Sequence, residues 1–219
     1  MTSRSVATLI AVALIVGAAG SAGAEVLRRI LASPLVEEGS GPDGCTPVLS
    51  GLGGPVRWEV RVERFLPDGK SLVEASHIAE PNRFPLCIAD RPVAKNAEVE
   101  LPFVAHAGGS ARVAGVVLRF SDPQDFYVVE ADGLAGQVRL LSIVNGERRD
   151  IAGHAASLTI GEAHMLTVKA TDEHFAVALD GTNLFAVRDG GLTAPGRLGI
   201  WSRADSITSF GDLYITILD

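Results

Sequence analysis

The sequence predicts an all-β fold in which two antiparallel sheets pack face to face as a jelly-roll sandwich. From Trp58 onward, apolar and polar residues alternate with a period of two, and turn residues separate the alternating segments at short intervals. No sustained 3.6-residue period is present in this region. Asn145-Gly146 and Asp180-Gly181 are strong hairpin signals, because these residue types adopt positive φ readily.

Residues 1–24 have the pattern of a secretory signal peptide. Arg4 precedes an apolar run from Val6 to Ala19, and Ala22-Gly23-Ala24 matches a small-x-small cleavage site. The run is shorter than the roughly 18 to 20 residues that span a bilayer. We therefore expect a periplasmic or secreted protein that has no membrane association after cleavage.

The charge of the chain argues against nucleic acid as a partner. The 219 residues carry a formal net charge of −7. Loss of Arg4 with the signal peptide makes the mature chain slightly more acidic still. An acidic chain does not attract polyphosphate backbones or anionic membrane surfaces. The sequence leaves the oligomeric state open.

Residues 25–55 are predicted to form an N-terminal arm, and residues 56–219 the sandwich. In the arm, a short helix is expected until Pro34 interrupts it, and the Gly- and Pro-rich stretch that follows is expected to lack regular structure. Cys45 and Cys87 are predicted to form a disulfide, because disulfides persist in exported proteins. Two free buried thiols are the alternative.

Strand alternation predicts a ligand face. In GRLGIWS, Trp201 lies opposite Leu198 and Ile200, and in AGVVLRF, Arg119 lies opposite the aliphatic set that ends with Phe120. An indole and a guanidinium on one open face suit stacking on, and hydrogen bonding to, a sugar. The alternative is structural: Trp201 covers the sheet under a loop, and Arg119 forms an ion pair with Asp205.

Four segments carry a family resemblance, and they are GVVLRFSDPQDFYVVEADG, VRLLSIVNGERRDIAG, HMLTVKATDEHFAVALDGTNLF and GRLGIWSRADSITSFGDLYI. Together they resemble the concanavalin A-like domains grouped as 3-keto-disaccharide hydrolase-like, over about residues 55–219. The resemblance implies a jelly-roll fold and a carbohydrate ligand. The chain departs from the family pattern at Phe126-Tyr127, where an aromatic pair changes conservatively, and at Phe210-Gly211-Asp212, which lacks one carboxylate.

The predicted site combines substrate-binding and catalytic residues. The substrate-binding set is Trp201, Arg119, Tyr127, Arg203 and Arg139, and the catalytic candidates are Asp205 and Glu130. Removal of the C2 proton of a 3-keto glycoside needs one base and one stabiliser of the enolate oxygen. Asp205, Glu130 or a histidine is a candidate base, and Arg119 a candidate stabiliser. A structural or protein-interaction module that lacks a sugar site is the alternative function.

No cofactor is expected. The five histidines have no metal-ligand spacing, and the chain has no nucleophile elbow, haem motif or phosphate loop. A retaining-glucanase motif is also missing, because Leu134 and Ala135 follow Glu130-Ala131-Asp132 where a second glutamate would be needed. Asp122 or Asp125 could contribute to a loop calcium site, although turn chemistry explains both residues equally well.

Overall fold

The computed structural model describes residues 26–29, 37–67 and 69–219, with backbone pairing alone for residues 26–29. Its sixteen strands are β1 (Val26–Arg29), β2 (Cys45–Gly51), β3 (Trp58–Val62), β4 (Lys70–Glu74), β5 (Arg83–Ala94), β6 (Ala97–Ala107), β7 (Val113–Asp122), β8 (Asp125–Asp132), β9 (Gln137–Val144), β10 (Glu147–Ala155), β11 (Ala163–Thr171), β12 (His174–Leu179), β13 (Thr182–Arg188), β14 (Gly196–Trp201), β15 (Ile207–Phe210) and β16 (Leu213–Ile217). The expected signal peptide lies outside the described residues.

The strands form two antiparallel sheets, which confirms the predicted sandwich. Sheet A has the order β13-β12-β11-β6-β15-β4-β3, and β16 joins it by pairing with both β6 and β1. Sheet B has the order β10-β9-β8-β7-β14-β5-β2. Among the described residues, none lies in a helix long and apolar enough to cross a bilayer.

The main hydrophobic core lies between the inner faces of the two sheets. Sheet A contributes Phe175, Val177 and Leu179 from β12, the alternate residues that the sequence predicts to point inward. Trp58 also points inward, and its Nε1 donates to the carbonyl of Leu86 at 2.9 Å. Period-two alternation therefore assigns the inner faces correctly on regular strands.

The N-terminal arm contains regular structure that the sequence pattern does not predict. Val26–Arg29 is a strand that pairs with β16, where a helix is predicted, and Cys45–Gly51 is the edge strand β2 of sheet B. Pro47 is compatible with this position, because an edge strand leaves some backbone N–H groups unpaired. A disulfide joins Cys45 to Cys87 and so ties β2 to β5, which confirms the predicted bridge.

Candidate functional site

The outer face of sheet B carries a second hydrophobic cluster, separate from the core between the sheets. Directly opposed residues of neighbouring strands project on the same face of a sheet. One such row crosses sheet B in the order Val48, Leu86, Trp201, Gly115, Glu130, Arg139 and Gly153. The row begins among apolar residues near β2 and becomes charged towards β9 and β10.

Trp201 lies on the predicted face, but its indole is not an open platform. The residue is 0% exposed. Its ring stacks on Phe84 with centroids 4.7 Å apart, and it packs at a tilt against Phe126 at 5.9 Å. A Cβ on Gly115 would lie 2.9 Å from Trp201 Cδ1, so the glycine leaves the space that the indole occupies. The expectation that Trp201 stacks on a sugar is corrected, because aromatic packing encloses the ring.

Arg119 lies on the opposite side of sheet B from Trp201, contrary to the prediction. Its φ is 52°, and the pairing of β7 with β8 shifts register between Leu118 and Asp122. A bulge of this kind reverses the faces of the residues that follow. The guanidinium lies over the ring of Phe175 and donates to the backbone carbonyls of Lys95, Leu192 and Asp172. Arg119 is therefore a structural residue at the end of the core.

Tyr127 also belongs to the inner face. Its hydroxyl donates to Asp189 Oδ1 and accepts a hydrogen bond from the Leu192 N–H at 3.0 Å. Burial, together with the bond to Asp189, raises the pKa of Tyr127 to about 12. Its ring packs against Phe175 in the main core. The predicted contact of Tyr127 with a ligand on the outer face is therefore corrected.

Glu130 is the buried centre of a charged network on the outer face. Glu130 Oε1 accepts from Arg139 Nη2 and lies 3.4 Å from Arg148 Nη2, while Oε2 accepts from Trp201 Nε1 at 3.3 Å. Arg139 also donates to Asp150 Oδ2 at 3.0 Å. Burial lowers the pKa of Arg139, but the charges of Glu130 and Asp150 outweigh it and raise that pKa above its ordinary value.

Asp132 continues the network beside Glu130. It accepts from Arg203 Nη2 at 2.5 Å and from the backbone N–H groups of Leu134 and Ala135. Arg203 and Arg139 thus both lie on the outer face, and each is paired with a buried carboxylate.

Asp205 anchors a loop. Its two oxygens accept from the N–H groups of Gly109, Ser110 and Ala111, at 2.9, 2.9 and 3.2 Å. Burial would raise the pKa of Asp205, but these backbone hydrogen bonds hold it below the usual value. A carboxylate held ionised by three donors is a poor general base, because those donors compete with the proton that it would accept. The structural alternative, an ion pair between Arg119 and Asp205, is also absent, since their partners are different.

Two concave regions open beside the network. A groove of about 510 Å³ runs along β9 and β10, and Gln137, Arg139, Asp150 and His154 are its polar lining residues. A Cβ added at Gly153 would lie 3.1 Å from Arg139 Cγ. A larger residue at this position would therefore crowd both the arginine and the groove. A second cavity of about 480 Å³ lies at the β9–β10 hairpin end of the same face and includes Arg148 and Phe84.

The alternation pattern does not reveal the contribution of β10 to the outer face. Arg148 and Asp150 are directly opposite Ile143 and Leu141, which places them on the outer face. The segment ERRDIAGHA has charged residues at consecutive positions and a register shift between Asp150 and Ala152, so alternation does not identify a face. The turn Asn145-Gly146 was the available signal, because a two-residue hairpin loop fixes the register of β10 against β9.

The aspartates considered as calcium ligands have turn roles. Asp122 Oδ1 accepts from the Gln124 N–H at 2.8 Å, and Asp125 Oδ1 from the Asn145 N–H at 3.1 Å. Within the described part of the chain, no group of three or more His, Cys, Asp or Glu side chains is arranged to hold a metal ion.

Solved structures share this fold. They include the carbohydrate-binding module CBM66 from Bacillus subtilis, with a TM-score of 0.59 and 15% identity over 77% of this chain and 94% of that chain. Domain 4 of the GH43 arabinanase AbnA from Geobacillus stearothermophilus, in complex with arabinotriose, has a TM-score of 0.50 and 14% identity. The match covers 81% of this chain and 82% of that chain. The transglycosylase Crh5 has a TM-score of 0.53 and 14% identity, and the match covers 87% of each chain.

Sequence comparisons add no closer relative. No protein-family model matches the chain, and no curated protein matches it. Structural likeness at these identities shows the fold alone. The chain is accordingly a two-sheet jelly-roll sandwich of the kind seen in galectin-like and carbohydrate-binding domains.

Proposed function

We propose that this protein binds carbohydrate without chemical conversion, in the groove along β9 and β10 on the outer face of sheet B. The observation that carries the proposal is the network that fixes Arg139 between Glu130 and Asp150 at an open, polar groove. A sugar hydroxyl both donates and accepts hydrogen bonds. A guanidinium held beside a carboxylate therefore offers complementary partners to neighbouring hydroxyls.

The solved structures with the same fold support a sugar ligand. They include a carbohydrate-binding module and an arabinanase domain in complex with arabinotriose. The resemblance to 3-keto-disaccharide hydrolase-like domains supports the same ligand class. In this chain, Trp201 is enclosed, so the proposed ligand contacts lie nearer the margin of the sheet.

Hydrolysis of 3-keto glycosides is the less favoured form of the proposal. Glu130 is fully buried between arginines, and Asp205 is bonded to three backbone N–H groups. Neither carboxylate is free to take a proton from a substrate. Purified protein incubated with 3-keto glucosides should release no sugar, and sustained release above a heat-treated sample would favour the hydrolase instead.

We also propose that the protein is exported. The Cys45–Cys87 disulfide supports this, because such bonds persist in oxidising compartments. Fractionation of expressing cells should recover the chain outside the cytoplasm with residues 1–24 removed. A full-length chain in the cytoplasmic fraction would contradict the proposal.

A glycan array followed by calorimetric titration tests sugar binding. Asp150→Asn and Gln137→Ala change the polar lining of the groove, and each should weaken binding by about tenfold, the effect of one or two lost hydrogen bonds. Lys169→Ala, on the outer face of sheet A, is the matched control and should bind as the unmodified chain does. Absence of glycan binding would favour the protein-interaction alternative. Unchanged affinity in Asp150→Asn and Gln137→Ala would place the ligand elsewhere.

A further inference from the structure

The cavity at the β9–β10 hairpin end contains a single charged residue among its lining residues, Arg148. Ser50, Asn82 and Gln124 supply neutral polar groups, and Phe84 and Leu52 supply apolar surface. The Ser50 hydroxyl donates to the Pro123 carbonyl at 2.7 Å, which holds the β7–β8 turn next to β2. The result is a cavity of about 480 Å³ with a positive charge, amide groups and an apolar wall.

Arg148 is short of hydrogen-bond acceptors. A guanidinium has five N–H donors. Among the described residues, Arg148 makes one long hydrogen bond, from Nη2 to Glu130 Oε1 at 3.4 Å, and its Nε lies 4.0 Å from Asp150 Oδ1. Its side chain is 26% exposed, so most of it has left solvent. Arg139, by contrast, donates to two carboxylates through Nη1 and Nη2, and its Nε is buried without a partner. Among the described residues, no nitrogen of Arg148 is both buried and unbonded, so its free N–H groups are accessible to a ligand.

The charges around Arg148 also leave it incompletely compensated. Burial lowers the pKa of Arg148, and although Glu130 acts in the opposite direction, the positive charges of Arg139 and Arg203 add to the decrease. Glu130 is already shared with Arg139 and Trp201. An additional carboxylate near Arg148 would therefore supply acceptors and negative charge where both are lacking.

We propose that this cavity is a subsite for the carboxylate of an acidic sugar, and that Arg148 is the residue that recognises it. The inference rests on the proposed carbohydrate binding and adds the class of sugar, a uronic acid. Gln124 and Asn82 carry amide donors at the same cavity, and the exposed side chain of Leu52 offers apolar surface to the C–H face of a sugar ring. Because Arg148 and Asp150 are neighbours on β10, one oligosaccharide would occupy this cavity and the groove together.

Titration with uronic-acid trisaccharides and their methyl esters tests the inference. The probes are the trimers of galacturonate, glucuronate and mannuronate, and each ester is a neutral control of nearly the same shape. The full chain should bind at least one free acid about tenfold or more tightly than its ester, as expected for a charge-assisted hydrogen bond. Arg148→Gln should abolish this preference and keep the affinity for the ester. Arg188→Gln, on the exposed edge of sheet A, should keep the preference.

The outcomes separate this inference from the proposed function. If acids and esters bind equally, or if Arg148→Gln keeps the preference for the acid, the acidic-sugar subsite is wrong while carbohydrate binding stands. If no acid, ester or array glycan binds, both proposals are wrong. Arg148→Lys adds a check on geometry, because lysine keeps the charge and loses the planar fork, and it should retain only part of the preference.

Discussion

Replacing Glu130 by glutamine should destabilise the fold, because the carboxylate is buried between two arginines. Glu130 is 0% exposed, and Arg139 and Arg148 both contact its Oε1. Removing one partner from a buried ion pair typically costs about 3 to 5 kcal/mol. The two arginine side chains keep 16% and 26% exposure, and Asp150 still compensates Arg139, so we expect the lower end, about 3 kcal/mol.

Urea unfolding measures this cost directly. The chain has two tryptophans, and Trp201 is bonded to Glu130, so indole fluorescence reports on the site itself. The midpoint should fall without a change in the slope, which would show altered stability and not an altered denatured state. Asp150→Asn is the matched control, since Asp150 is 58% exposed and contacts the same Arg139, and it should cost under about 1 kcal/mol.

Equal stability of Glu130→Gln and the unmodified chain, within about 0.5 kcal/mol, would refute the structural role of this carboxylate. That result together with lost turnover of a 3-keto glycoside would restore Glu130 as a catalytic candidate.

Three further predictions concern residues whose roles the structure reassigns or confirms. Asp205→Ala should remove a stabilisation that is present above about pH 4 and is lost as pH falls through the lowered pKa of the folded state, so melting curves of the two proteins should converge in acid. Tyr127→Phe should remove a stabilisation that is present below about pH 10 and is lost as pH rises towards the folded pKa of about 12; unfolding midpoints from pH 8 to 12 measure it, and an unchanged alkaline profile would contradict the bond to Asp189. The paired change Cys45→Ser and Cys87→Ser should cost at most about 4 kcal/mol on the chain-entropy estimate for this loop, and a loss below about 1 kcal/mol in chemical unfolding would show that the bridge constrains the unfolded chain little.

The sandwich was predictable because alternation and turn chemistry are local properties of the sequence. On β12 and β16 the aliphatic residues face the core as predicted, since both strands are regular. β2 was not predictable from propensity, because its Gly- and Pro-rich surroundings resemble a loop. Pairing with β5 and the Cys45–Cys87 bridge supply the order that local preference lacks.

The predicted site failed where local alternation was interrupted. A positive φ at Arg119 is not encoded by a glycine, so the bulge gives no local signal, and the arginine lies on the inner side of the sheet. Trp201 kept its predicted face, but its burial depends on Phe84 and Phe126, which are distant in sequence. Arg139 shares its face with Leu141 and Ile143, as alternation predicts, because β9 pairs with β8 without a register shift.

The aromatic stack of Trp201 and Phe84, on β14 and β5, occupies the half of the outer face of sheet B that is nearer β2. The proposed binding site therefore lies at the last hairpin of the sheet, β9–β10, where β10 pairs with no further strand of sheet B among the described residues. Outer-face residues of β10, such as Arg148 and Asp150, can change without disturbing the interior between the sheets, because they lie on the opposite side of sheet B from the main core. Homologous chains should therefore differ most in ligand preference along this hairpin, while the stacked rings that support it stay the same.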